Sequence, residues 1–68
     1  MRIEWEEGFV IRVTADDGAV LISANRAGLR SLARQFAELA GAEPGTHIHL
    51  DEYNSLEDGS AEMIVEIL

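Results

Sequence analysis

One stretch of this chain has helical periodicity, and it constrains the fold more than any other feature. Apolar residues recur at three- and four-residue intervals between Asn25 and Gly41, which places them on one face of a helix. Ser23 or Asn25 can cap the start. Gly41 predicts an end in the left-handed conformation, and Pro44 bars continuation. The residues predicted to face the core are Leu29, Leu32, Ala33, Phe36, Leu39 and Ala40.

Two turn signals before the helix predict a meander of three strands. A three-residue loop at 6–8, with Gly8 in the left-handed position, sets Trp5 opposite Phe9 and Ile3 opposite Ile11. A two-residue loop at 7–8 would instead place Trp5 on the opposite, more polar face of the next strand. We favour the first arrangement because apolar residues then face apolar residues across the strands.

The second turn signal is the pair Asp17-Gly18, which is typical of a two-residue primed hairpin turn. This turn sets the strand register completely. It pairs Ala15 with Val20, Val13 with Ile22 and Ile11 with Ala24, so that the apolar set stays on one side.

Two further strands are predicted after the helix. The first covers 46–52, with Ile48 and Leu50 toward the core, and the second covers about 61–68. The last strand offers the core Ala61, Met63, Val65 and Ile67.

The order of elements is therefore β-β-β-α-β-β. We predict a single α+β domain over residues 1–68, with one helix packed on one face of a mainly antiparallel five-stranded sheet. The favoured strand order is 3-2-1-5-4. The alternative lays the fourth strand parallel beside the third through a right-handed crossover.

Length and charge exclude several classes of function. The chain has 68 residues, no cysteine, and 13 acidic against five basic residues, for a formal net charge of −8. This charge argues against nucleic-acid binding, because phosphates would be repelled. The sequence has no run of about 18 apolar residues that could span a membrane. We expect a cytoplasmic protein with no cofactor.

The strand at 46–52 carries the sharpest candidate for chemistry. His47, His49 and Asp51 alternate onto one face, where two imidazoles and a carboxylate could hold a metal ion. The simpler interpretation is that they line the exposed side of a strand. We predict no metal site and keep the metal-binding module as an alternative. Since no nucleophile stands at a recognisable spacing from a base, we also predict no enzymatic activity.

Aliphatic residues also fall on the sheet face away from the helix. They are Val10, Leu21, Ile64 and Leu68. Apolar side chains on a face that should be wet indicate a second alternative, a homodimer through the sheet face away from the helix.

Two parts of the chain resemble a known family. The segment Leu21-Ile22-Ser23-Ala24-Asn25-Arg26-Ala27-Gly28-Leu29, followed by Leu32-Ala33 and Leu39-Ala40, looks like the helix start of the Immunity protein 32 family. The segments Gly45-Thr46-His47-Ile48-His49-Leu50-Asp51, Leu56-Glu57-Asp58-Gly59-Ser60 and Met63-Ile64-Val65 are similar to its C-terminal half. The resemblance covers about residues 20–68.

This resemblance implies a small α+β protein of bacterial polymorphic toxin systems that neutralises a cognate toxin by binding. It brings no catalytic residues to carry over. We therefore predict a non-enzymatic binding protein whose partner is another protein. The contact residues would come from the acidic loop (residues 51–59) and from the outward histidines: His47, His49, Asp51, Glu52, Tyr53, Glu57 and Asp58. Tyr53 would be the aromatic anchor.

Overall fold

A computed structural model describes residues 4–68 of the chain. In this range one helix and four strands form an α+β arrangement with two separate two-stranded antiparallel sheets. The elements are β1 (Ile11–Asp16), β2 (Ala19–Ala24), α1 (Arg26–Ala40), β3 (His47–Leu50) and β4 (Met63–Glu66). The prediction of an α+β fold with one helix is confirmed. The single five-stranded sheet is wrong, and so are both predicted strand orders, because the described strands form two separate sheets. The two antiparallel pairings within the favoured order are present, however: predicted strands two and three are β1 and β2, and predicted strands four and five are β3 and β4.

The β1–β2 hairpin has the predicted register. Val13 lies opposite Ile22, and the flanking pairs follow in the same alignment. Asp17 and Gly18 both have positive φ, 47° and 77°, as a type I′ turn requires. The turn chemistry and the alternating pattern therefore determine this hairpin locally.

The second edge of β1 is covered by a connecting segment, residues 57–61. The amide of Glu57 donates to Ile11 O at 2.9 Å, and the amide of Ala61 donates to Val13 O at 2.8 Å. Between these bonds, the Val13 amide donates to Ser60 Oγ at 3.2 Å. Because a side chain takes the place of a backbone acceptor here, the regular ladder is interrupted and the two sheets stay separate.

The segment predicted as a first strand packs on the helix instead. The Glu6 amide donates to Ser31 Oγ at 2.8 Å, and Gln35 Nε2 donates to Glu4 O. Its backbone groups are thus bound to helix side chains and are not available to a sheet. Trp5 and Phe9 do meet as predicted, with ring centroids 4.9 Å apart. The predicted pairing of Ile3 lies outside the described residues.

The buried face of α1 is more polar than predicted. Leu32 and Leu39 are buried as expected, but Leu29 is 52% exposed and Phe36 is 40% exposed. The predicted core positions Ala33 and Ala40 are exposed as well. The face is completed by small or polar residues, namely Gly28, Ser31 and Gln35. Part of the apolar stripe of the helix therefore faces solvent, because the buried face carries Ser31 and Gln35, whose side chains bind the backbone of the segment 4–6.

The core lies between α1 and the two sheets. Ile48 and Leu50 of β3 point into it, as their alternation predicted, and the inward residues of the last segment are packed against it. The two strands that follow the helix are shorter than predicted, since β3 covers only His47–Leu50 and β4 covers only Met63–Glu66. The buried apolar residues are Ile11, Val13, Leu32, Leu39, Ile48, Leu50 and Leu56.

Asn25 connects the start of α1 to the start of the first hairpin. Its Oδ1 accepts hydrogen bonds from the amides of Gly28, at 2.7 Å, and Val10, at 3.0 Å. Its Nδ2 donates to Gly8 O at 2.9 Å. Asn25, one of the two predicted candidates, is therefore the residue that caps the start of the helix. At the other end the helix stops at Gly41 as predicted, although Gly41 has a φ of −92° and is not left-handed.

Gly28 lets the helix lie directly against the first hairpin. A Cβ placed on Gly28 would lie 2.5 Å from Val10 O and 2.9 Å from Ile11 Cγ1. The first of these neighbours is backbone, so it cannot move aside without disturbing β1.

Gly28→Ala should destabilise the protein by about 1–3 kcal/mol through overpacking, even though alanine is favoured over glycine in a helix by up to about 1 kcal/mol. Urea unfolding followed by circular dichroism measures the change. Gly41→Ala is the matched control, because a Cβ there meets its nearest atom at an ordinary 3.6 Å. Equal stability of the Gly28 variant and the wild type would contradict the close contact.

Asn25→Ala should cost about 0.5–2 kcal/mol, the usual range for loss of a cap. Asn25→Asp keeps both accepted bonds but sets a carboxylate oxygen against Gly8 O, a repulsion that replaces the lost donor. It should therefore recover only part of the stability that Asn25→Ala loses. Thermal unfolding of the two variants compares them. If Asn25→Ala were as stable as the wild type, the capping bonds would contribute nothing measurable.

An ion pair holds the N-terminal segment on the outer side of the helix. Arg30 donates to both carboxylate oxygens of Glu6, at 2.7 and 2.8 Å. These hydrogen bonds hold the pKa of the Glu6 carboxyl below its ordinary value of 4.5, and Arg34 adds a smaller Coulombic effect in the same direction.

Carboxyl NMR titration should find that Arg30→Leu raises the pKa of Glu6 clearly, while Arg34→Leu raises it less. Since the folded-state pKa is lowered, the pair stabilises the fold at pH above 4.5. This contribution is lost as the pH falls through the folded-state value. An unchanged pKa in Arg30→Leu would show that the pair does not persist in solution.

Candidate functional site

Two histidines stand side by side on the exposed face of β3. The His47 and His49 rings lie 5.0 Å apart in an edge-on arrangement, because strand alternation directs both away from buried Ile48 and Leu50. His49 Nδ1 lies 3.3 Å from Glu62 Oε2. His47 Nδ1 lies 3.3 Å from Gly45 O.

Asp51 does not join these histidines; it forms a turn. Its Oδ1 accepts from the amides of Tyr53, at 2.9 Å, and Asn54, at 3.2 Å. Its own amide donates to Asn54 Oδ1 at 3.1 Å. Asn54 Nδ2 in turn donates to His49 O at 2.8 Å, which ties the loop to β3. Asx turns of this kind are typical of Asp and Asn.

Two further contacts close the acidic loop. Glu52 Oε2 accepts from the Gly59 amide at 2.6 Å, so the two ends of the loop are bound together. Leu56 is buried in the core and Ser55 is buried beside it. The loop is thus held at its middle by apolar packing as well as at its ends by hydrogen bonds.

Tyr53 projects from this fixed loop into solvent and is 95% exposed. Glu57 and Asp58 are exposed as well. Two acidic residues that the sequence analysis did not single out extend the same surface, because Glu62 lies beside His49 and Glu66 lies opposite His47 in the β3–β4 register. The alternation of β4 and its pairing with β3 could have identified Glu66.

This arrangement fits binding better than metal chemistry. Within residues 4–68 no group of three or more His, Cys, Asp or Glu side chains could hold a metal ion. The three-ligand site of the metal-binding alternative is therefore wrong. The physical reason is that β3 ends at Leu50, so strand alternation does not extend to Asp51. The Asp51 carboxylate lies in the turn that follows. What remains is an acidic surface, held by hydrogen bonds, from which the Tyr53 ring projects.

The outward aliphatic residues are exposed as predicted, but they do not share one sheet. Leu21 lies in β2 and Ile64 lies in β4, whereas Val10 precedes β1 and Leu68 follows β4. Within residues 4–68 there is therefore no single five-stranded sheet to carry them on one face, which is the arrangement that the homodimer alternative assumed.

Across residues 4–68, no helix has the length and apolar character that crossing a membrane requires.

The chain matches the model of a known protein family. No curated protein and no solved structure matches the chain. The family model described as Immunity protein 32 matches residues 19–68. This range begins at β2 and includes α1, the histidine strand, the acidic loop and β4. The match therefore contains every candidate contact residue. The chain belongs to the Immunity protein 32 family.

Proposed function

We propose that this protein neutralises a cognate bacterial toxin by direct, non-enzymatic binding in the cytoplasm. The acidic loop and the outward histidines are the contact surface. The membership of the chain in an immunity-protein family supports a protein partner of this kind. The single structural observation that carries the choice of surface is Tyr53, which is almost fully exposed on a loop whose backbone is held in place.

The physical argument rests on preorganisation. Ordering a flexible loop on binding costs free energy, and a loop that is already fixed avoids much of that cost. The Asp51 turn, the Glu52–Gly59 bond and buried Leu56 hold this loop before any partner arrives. Tyrosine is among the residues that most often dominate binding energy, because its ring offers large apolar area and a polar tip.

Charge determines the kind of partner surface that fits. Glu57 and Asp58 are exposed on the loop, and Glu62 and Glu66 lie on the neighbouring strand segment, in a chain with a formal charge of −8. Such a surface attracts a basic partner and speeds its association. A toxin with a positively charged substrate-binding surface would be blocked by occupation of that surface.

The first experiment is a growth test with the product of the neighbouring gene. That product is expressed alone and together with this protein. Rescue of growth, with the two proteins co-purifying, supports the proposal. A toxic neighbour that is not rescued contradicts it for that pair.

Once the partner is identified, Glu57→Lys/Asp58→Lys should slow its association with this protein at least about tenfold at low salt and weaken the salt dependence of the association rate.

Tyr53→Ala should weaken binding of the partner by about 2 kcal/mol or more, mainly through faster dissociation. Stopped-flow or surface-based kinetics measures both effects.

The matched control is Glu7→Lys/Glu38→Lys, which makes the same change in net charge at exposed positions outside the loop. It should alter association only slightly. Equal slowing by both double variants would show that overall charge acts and that the loop does not contact the toxin.

A further inference from the structure

The strand β2 has one paired edge and one free edge. The Asn25 amide donates to Val10 O at 3.1 Å, which marks residues 10 and 25 as a hydrogen-bonded pair. Hydrogen-bonded pairs alternate along an antiparallel ladder, so Thr14–Leu21 and Asp16–Ala19 also exchange backbone bonds in this register. The backbone groups of Val20 and Ile22 therefore point away from β1. Across residues 4–68 no protein group bonds to them.

This free edge lacks the features that normally protect edge strands. Residues 19–24 contain no charged residue and no proline, whereas natural edges are usually blocked by lysine, proline, bulges or a covering segment. Its side chains are also unusually exposed for apolar residues, at 65% for Val20, 62% for Leu21 and 38% for Ile22. An unpaired, uncharged, apolar strand edge favours pairing with another strand.

We propose that two copies of this chain pair through the free edges of β2. The product is a continuous antiparallel four-stranded sheet across a twofold axis. In the matching register, Leu21 lies opposite the second copy's Leu21, and Val20 lies opposite the second copy's Ile22. The outward backbone groups of Val20 and Ile22 then meet each other, and every side chain in these pairs is apolar.

The self-matching apolar register and closure favour a second copy over another occupant. The chain carries a formal charge of −8, yet its uncharged edge lets two copies meet without placing like charges in contact. The other edge of the hairpin is covered by residues 57–61, so pairing closes at two copies.

The dimer is independent of the proposed toxin contact. The segment 57–61, which ends the acidic loop, is bound to the edge of β1 that faces away from β2. Pairing through β2 thus leaves Tyr53 and the loop acids free, and either proposal can fail without the other.

Sedimentation equilibrium over a micromolar to millimolar series tests the pairing. The wild-type mass should rise from 7.5 kDa toward twice that value. Val20→Lys should weaken dimerisation at least tenfold, because it places a charge in the paired edge. Ile64→Lys is the matched control, an identical change of charge at an exposed aliphatic residue of β4, and it should leave the dimer intact.

Three outcomes would overturn the proposal: a wild type that stays monomeric throughout, an unaffected Val20→Lys dimer, or equal loss of the dimer in both variants. Amide hydrogen exchange of the wild type gives a second reading that needs no variant. The Leu21 amide should be protected at every concentration, while the Val20 and Ile22 amides should gain at least tenfold protection only as concentration rises. Concentration-independent exchange at those two amides would exclude edge pairing.

Discussion

The side chain of Asn25 is the interaction on which the rest of the structure depends. One amide group binds the backbone of three segments: the turn at Gly8, Val10 just before β1, and the first turn of α1 at Gly28. It determines where the helix begins and how the hairpin leads into it. Gly28 follows from the same geometry, because the first turn of the helix then passes too close to Val10 and Ile11 for any side chain.

From this junction the two edges of β1 acquire different roles. One edge pairs with β2 in a hairpin whose far side stays open. The other edge is satisfied by residues 57–61, which carry the end of the acidic loop onto the core. The proposed self-pairing and the proposed toxin contact thus lie on opposite sides of one strand. The two contacts also depend on different interactions. The uncharged strand edge would pair through backbone hydrogen bonds, whereas the acidic surface would attract a basic partner electrostatically.

Features governed by neighbouring residues were predictable. The register of β1 with β2, the cap at Asn25 and the inward and outward sides of β3 all came from turn chemistry and alternation. Exposure of His47 and His49 followed from the same alternation. The three-ligand metal site is not formed because β3 ends at Leu50, so the alternation that places the two histidines on one face does not extend to Asp51. Instead, the Asp51 carboxylate accepts hydrogen bonds from the backbone amides two and three residues further along, which forms a turn.

The sequence by itself determined one helix, its limits, the first hairpin, and the acidic, cysteine-free character of the chain. Tertiary structure alone decided that the segment at Glu4–Glu6 binds the helix and joins no sheet. Ser31 and Gln35 supply hydrogen bonds that compete with strand pairing, and they do so only once the helix is docked. The same docking turned Leu29 and Phe36 outward. Periodicity reports which residues share a face, but the partners available in the folded chain decide which face is buried.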